Sequence, residues 1–219
     1  MKPAARSGLV VLLGTFVVLI LIAFPALAYQ YPLSTSDIRN AYLLGYAKDL
    51  STANFFAPYA RQFPVPESGP YIATITLKTP YGQLVELGQS ALNADVQGAE
   101  EEYATRKLPF LVQVGVVDLT ATYPGAPASD TAAPGVPLPD FQRDFPARLV
   151  QDGQEIAVQS TQVYLLYSDS AFNTYSVSGA TIEYRYDPEK IDPDDEMTFE
   201  VHTPDGQDIE TTFDLGRLR

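Results

Sequence analysis

The sequence predicts a mainly β protein: an immunoglobulin-like antiparallel β-sandwich with a helical N-terminal arm and a short helical insertion. Three observations carry this. Residues 145–215 hold many short alternating stretches, separated by Asp152-Gly153, Ser168-Asp169-Ser170 and Pro204-Asp205-Gly206. Short strands with turn signals between them mark sandwiches and barrels. Phe110 to Val117 is apolar on both of its alternating faces, as in a strand near the middle of a packed structure. Helical spacing is confined to residues 29–66 and 80–107.

The chain opens with Lys2 and Arg6, then runs uncharged from Gly8 to Ala28, with Pro25 and Ala26-Leu27-Ala28 at the end. Basic start, apolar middle, helix breaker and small-x-small triplet is the order of a secretory signal, with the cut before Tyr29. An uncleaved anchor is the alternative, since about 20 apolar residues span a bilayer. Either reading places the rest of the chain outside the cytoplasm, periplasmic or extracellular. The expected layout is signal peptide 1–28, helical arm 29–66 and a sandwich domain 67–219.

In the arm, Ser34 or Ser36 caps a helix and Asp37 places negative charge at its positive end. Ile38, Ala41, Tyr42 and Gly45 fall on one face. A second helical stretch, Thr52 to Arg61, contains Pro58, which should kink or shorten it. Pro64-Val65-Pro66 ends the arm. Tyr71, Ala73, Ile75 and Leu77 then alternate with polar residues, as in a strand with one wet face. Thr79-Pro80 ends that strand and starts a helix over 80–91, with Thr as cap and Pro in the first turn. Asp95 caps another, running to about Lys107. Its Glu100, Glu101 and Glu102 are read as first-turn acids that complement the helix dipole.

Residues 124–140 hold five prolines and two glycines, and read as a long loop outside the sandwich. Phe145 to Gln151 leads through Asp152-Gly153 into a return strand, Glu155 to Ser160. Val163 to Tyr167 and Thr181 to Tyr186 follow, the latter with Ile182, Tyr184 and Tyr186 on one face. Met197 to Thr203 and Asp208 to Leu215 make the clearest hairpin. Strands 71–79 and 109–122 have no other strands in their own half, and two strands alone are marginal. They are expected to join the later strands in one sandwich; a separate lobe hinged at 124–140 is the alternative.

Composition narrows function. The net charge is −13, and residues 1–28 carry two basic and no acidic residues, so the remainder is more acidic still. Such a surface repels phosphate backbones and anionic membranes, excluding nucleic acid and, once 1–28 are removed, membrane association. High charge also favours a soluble monomer. There is no Cys and a single His. Disulfides, thiolate zinc sites, Cys nucleophiles and the usual multi-His zinc sets are excluded. The core alone must hold the fold, and a chain of this size suffices for that.

Tyr31-Pro32-Leu33-Ser34, Ile38-Arg39, Ala41-Tyr42, Leu44-Gly45, Gly69-Pro70-Tyr71-Ile72 and Thr79-Pro80-Tyr81 together resemble a loose group of exported bacterial proteins of unknown function. The resemblance covers mainly residues 31–85 and implies no activity and no catalytic residue.

The densest candidate site is Asp187 to Glu196, with six carboxylates in ten residues. Calcium takes six to eight oxygen ligands, so Asp187, Asp192, Asp194, Asp195 and Glu196 are the metal candidates, with Glu189 beside them. The EF-hand glycine is missing and Asp-Pro pairs form ordinary turns, so the expectation is no cofactor, or weak calcium at most. His202 alternates onto the wet face of its strand, and no Gly-x-Ser-x-Gly elbow accompanies it. Glu183 and Glu200 lie on polar strand faces and could serve a glycosidase-like pair. Of the 14 Tyr, Tyr164 and Tyr167 are expected on opposite faces of one strand. Tyr184 and Tyr186 are expected to share a face of another. Most are expected to be structural. The resulting expectation is an exported, non-catalytic sandwich with a binding or structural envelope role, its partner an unidentified protein or envelope component. A small carboxylate-dependent secreted hydrolase is the alternative.

Overall fold

The computed structural model describes residues 29–67, 69–117, 119, 141–169, 175–204 and 206–219. The expected signal segment 1–28, the Pro-rich stretch 124–140 and Asp205 of the last turn lie outside the described residues.

Helix α1, Thr35–Ala47, begins at a capping box: the Ser34 hydroxyl accepts from the Asp37 N–H, and the Asp37 carboxylate accepts from the Ser34 N–H. Ser34, not Ser36, is therefore the cap. The expected face is the buried one: Ile38, Ala41, Tyr42 and Gly45. Helix α2 is Leu50–Phe56 and not the longer Thr52–Arg61 stretch expected. Pro58 has no N–H to continue the ladder, so the chain tightens into one turn, Ala57–Tyr59. Residues Ala60–Gln62 then become strand β1, pairing with β2, Tyr71–Lys78. A bulge between Ile72 and Thr74 shifts the alternation of β2. Ile72, Ile75 and Leu77 are buried, in place of the Tyr71, Ala73, Ile75, Leu77 face expected.

Helix α3, Pro80–Ser90, is capped by Thr79, whose hydroxyl accepts from the Gly82 N–H at 3.0 Å. Helix α4, Val96–Arg106, is capped by Asp95. Arm and insertion are joined where α1 crosses α3. A Cβ on Gly45 would stand 1.8 Å from the Val85 carbonyl oxygen, and one on Gly88 would stand 2.1 Å from the Tyr42 carbonyl oxygen. Only residues without side chains let two helix backbones come this close. Leu33, Ile38, Ala41, Tyr81, Leu84 and Val85 form the small core of this helical layer.

The remaining strands are β3 (Phe110–Val117), β4 (Ala147–Gln151), β5 (Gln154–Ile156), β6 (Ser160–Asp169), β7 (Tyr175–Tyr186), β8 (Glu196–His202) and β9 (Asp208–Asp214). They form two antiparallel sheets, β1-β2-β3-β7-β6 and β5-β4-β8-β9. The mainly β, two-sheet antiparallel sandwich expected from the sequence is the architecture observed. β3 pairs with β7, so strands on either side of 124–140 share one sheet. β3 is the central strand of that sheet, as its two apolar faces require. Asp152 and Gly153, both at positive φ, make the β4–β5 turn.

The expected return strand Glu155–Ser160 is two pieces: β5 ends at Ile156, and from Ser160 the chain belongs to the other sheet. The main core fills the space between the sheets. Val112, Val114, Ile182, Tyr184 and Tyr186 from one meet Leu149, Met197, Phe199, Val201 and Phe213 from the other. The Tyr184 and Phe199 rings lie 5.6 Å apart across the two layers. Among the described residues, no helix is long and apolar enough to cross a membrane.

Candidate binding groove and sheet edge

Alternation on β3 and β7 sends Phe110, Val112, Val114, Ile182, Tyr184 and Tyr186 inward. It leaves Gln113, Glu183 and Arg185 on the outer face of the five-stranded sheet. Register sets Gln113 opposite Glu183 and Glu183 opposite Gln162 of β6. The side chains connect along that row. Gln113 Nε2 donates to Glu183 Oε2 at 2.9 Å, and Arg185 Nε donates to Glu183 Oε1 at 2.9 Å. Arg185 Nη2 donates to Gln162 Oε1 at 2.8 Å, and the Tyr164 hydroxyl donates to the same oxygen at 2.7 Å. A carboxylate as buried as Glu183, 4% exposed, is tolerable only when paired and hydrogen-bonded, and this network does both.

The helical layer lies against this face and leaves a groove of about 700 Å³ between α3, α4 and the sheet. Its walls carry both charges. Lys78 Nζ is 2.7 Å from Glu86, and Arg106 is 2.9 Å from Glu102. Gln83 Nε2 donates to the Pro109 carbonyl at 2.6 Å, tying α3 to the start of β3. A groove of this volume with polar groups converging on its floor is of the size that binds small ligands or short chain segments.

At the far side of the same sheet is β6, whose one strand neighbour among the described residues is β7. Tyr164, Leu166 and Tyr167 are about half exposed there. Tyr164 lies opposite Thr181 on the outer face and Tyr167 lies opposite the core residue Val177, so the two divide between the faces as expected; the bulge places its extra residue, Ser178, on β7 and leaves the alternation of β6 intact. Tyr184 and Tyr186 do share a face, and both are buried. Burial pushes their phenols well above the ordinary range, as it does those of Tyr29 and Tyr59.

The structure does not bring Glu183 and Glu200 together. Glu183 is on the outer face of one sheet. Glu200 alternates with the inward Phe199 and Val201 of the other, and faces out opposite Arg148, with which it forms an ion pair at 2.6 Å. The two carboxylates point away from each other across the sandwich, so they cannot flank one glycosidic bond. His202 sits on the wet side of β8, with Nδ1 2.8 Å from Asp208 Oδ1.

The acidic stretch is a loop pinned to β4. Gln151 Nε2 donates to the Asp192 carbonyl, and Gln151 Oε1 accepts from the Asp192 N–H, both at 2.8 Å. Asp187 Oδ1 accepts from the Glu189 N–H and Asp192 Oδ1 from the Asp194 N–H, each at 3.0 Å. Glu196 is the first residue of β8, opposite Asp214, and is not part of the loop. Asp187, Asp192 and Asp195 border a separate cleft of about 510 Å³ beside the β4–β5 hairpin, with Lys190 among them. Among the described residues, no three His, Cys, Asp or Glu side chains are grouped to hold a metal ion.

Reading the sequence alone singles out Glu183, but not Gln113, Arg185, Gln162 or Lys78. The signal available was their alternation with apolar neighbours on four strands; which strands lie side by side was not visible.

The fold and this face define an antiparallel two-sheet sandwich bearing a helical layer. No protein-family model matches the chain, and no curated relative matches it. Six solved chains match. One is an IgNAR antibody domain C1, 8% identical, with the match covering 70% of this chain and 99% of that one at a TM-score of 0.30. That likeness is too distant to build on, and the architecture rests on the strand order itself.

Proposed function

We propose that this is an exported, non-catalytic binding domain, acting through the outer face of its five-stranded sheet on a protein or envelope component. The observation that carries the reading is the groove floor. Its charged groups are engaged in ion pairs with one another and hydrogen bonds to side-chain amides, which suits recognition and leaves no free acid or base among the described residues of the groove. No cofactor takes part, and calcium binds weakly at most. Export is read from residues 1–28, with their basic start, uncharged apolar run, Pro25 and Ala26-Leu27-Ala28. Tyr29, the residue after the expected cut, is a core residue: its N–H donates to the Leu215 carbonyl, its hydroxyl to the Pro188 carbonyl, and its ring meets Phe110 edge-on.

The test has two arms. Immobilised protein is exposed to solubilised envelope fractions, alongside a variant carrying Lys78→Gln and Arg185→Gln. The same proteins are assayed on chromogenic glycosides and esters. Retention of a component that the variant loses, with no turnover, is the expected result. Turnover abolished by Glu183→Gln would replace this reading with a carboxylate-dependent hydrolase. Retention unchanged in the variant would remove the groove from the binding site.

A further inference from the structure

We infer that β6 is a self-association edge, at which a second copy of this chain adds antiparallel to give a two-fold dimer with a continuous sheet. The inference does not depend on what the groove binds.

The argument begins with how the sandwich treats its four edges. An edge strand exposes unpaired N–H and C=O groups, and proteins blunt such edges by shortness, charge or proline. β1 is three residues long, contains Arg61 and is followed by Pro64 and Pro66. β5 is three residues long and contains Glu155. β9 carries Asp208, Glu210 and Asp214. β6 is ten residues long. Between Glu155 and Asp169 the chain has no charged residue and no proline. In a chain of net charge −13, among the described residues one long edge is left bare while three are guarded.

The identity of the occupant follows from charge. A two-fold interface sets each residue near its own copy or a close neighbour, so any charge at the axis meets its like. An acidic chain can pair with itself only through a neutral strip, and β6 is that strip. The nearest outward charges on β7, Glu183 and Arg185, cancel in their own ion pair. Antiparallel pairing about an axis perpendicular to the sheet keeps outer face beside outer face, so residues of equal parity oppose one another. Before the bulge, Tyr164 therefore meets Gln162, Tyr164 or Leu166 of the other copy in each central register. All are uncharged and can form stabilising cross-strand pairs. Covering Tyr164, Leu166 and Tyr167 on both copies, with the paired backbones, removes on the order of 1,000 Å² from water, the low end of specific interfaces. An interface at this low end belongs to weak, reversible association, which departs from the monomer expected from net charge alone.

The experiment is sedimentation equilibrium on the purified protein from submicromolar to submillimolar concentration. The edge is tested with Tyr164→Lys and Leu166→Lys. Leu50→Lys and Leu92→Lys are controls at apolar side chains 80% and 91% exposed on the helical layer. Thermal unfolding confirms that each variant is folded. We expect a monomer–dimer equilibrium in the parent, weakened at least about tenfold by either edge variant, because like charges then face each other across the axis. The control variants leave it unchanged. A parent monomeric over the whole range overturns the inference and leaves the edge to an extended segment of a different protein. Association that survives both edge variants, or falls equally in the controls, also overturns it.

Discussion

Replacing Gly45 or Gly88 with Ala should separate the helical arm from the insertion, although Ala is the better helix former. At Gly45 the new Cβ would sit 1.8 Å from the Val85 carbonyl oxygen, where 3.4 Å is ordinary contact. The obstacle is backbone on both sides, so no rotamer relieves it, and the helices must part by about 1.5 Å. Overpacking costs roughly 1–3 kcal/mol, and a backbone obstacle belongs at the upper end, about 3 kcal/mol. The helix-propensity gain of Gly→Ala, about 1 kcal/mol, offsets only part of this. The net loss is about 2 kcal/mol, or roughly 4–8 °C in Tm for a chain of this size.

Gly82, in the same helix α3 as Gly88, supplies the internal comparison. A Cβ there meets nothing closer than the Thr79 hydroxyl oxygen at 3.4 Å, so Gly82→Ala should keep the propensity gain and raise Tm by a few degrees. Thermal unfolding followed by far-UV circular dichroism measures all three. If Gly45→Ala and Gly88→Ala match Gly82→Ala, the close crossing does not exist and the layer is packed otherwise.

Three further outcomes are expected. Arg185→Ala should destabilise more than Glu183→Gln, by about 2 kcal/mol in denaturant unfolding, because it strands a buried carboxylate that the Gln variant neutralises; equal effects would show that Glu183 is not buried as a charge. The phenols of Tyr29, Tyr59, Tyr184 and Tyr186 are raised by burial, so the folded state holds their protons where the unfolded state releases them. Their stabilisation is complete below the unfolded value near pH 10 and falls above it by roughly 1.4 kcal/mol per pH unit for each phenol. Tyrosinate absorbance should therefore rise together with unfolding; smooth ionisation of these residues in an intact fold would contradict their burial. Calcium and chelator should leave Tm within about a degree of each other, since a ligand held only by the folded state raises it; a large rise lost in Asp192→Ala with Asp194→Ala would make the 187–195 loop a metal site.

The sequence by itself determined the local elements. The capping pattern around Ser34 and Asp37, the Thr79-Pro80 helix start, the Asp152-Gly153 turn and the apolar run from Phe110 are each written within about ten residues, the range over which backbone conformation is set. The wet-face assignment of Glu183 was also right as to direction, since it points away from the main core. Tertiary structure alone decided what covers that face. Glu183 is buried among its sheet neighbours, hydrogen-bonded to Gln113 of β3 and paired with Arg185, with α3 and α4 facing it across the groove. Strand order likewise decided that Glu200 belongs to the opposite layer, that the chain changes sheets between Ile156 and Ser160, and that β6 stands at an edge. Alternation reports which side of a strand is apolar. It carries no information about the neighbour, because pairing and layering are set by the packing of segments distant in sequence.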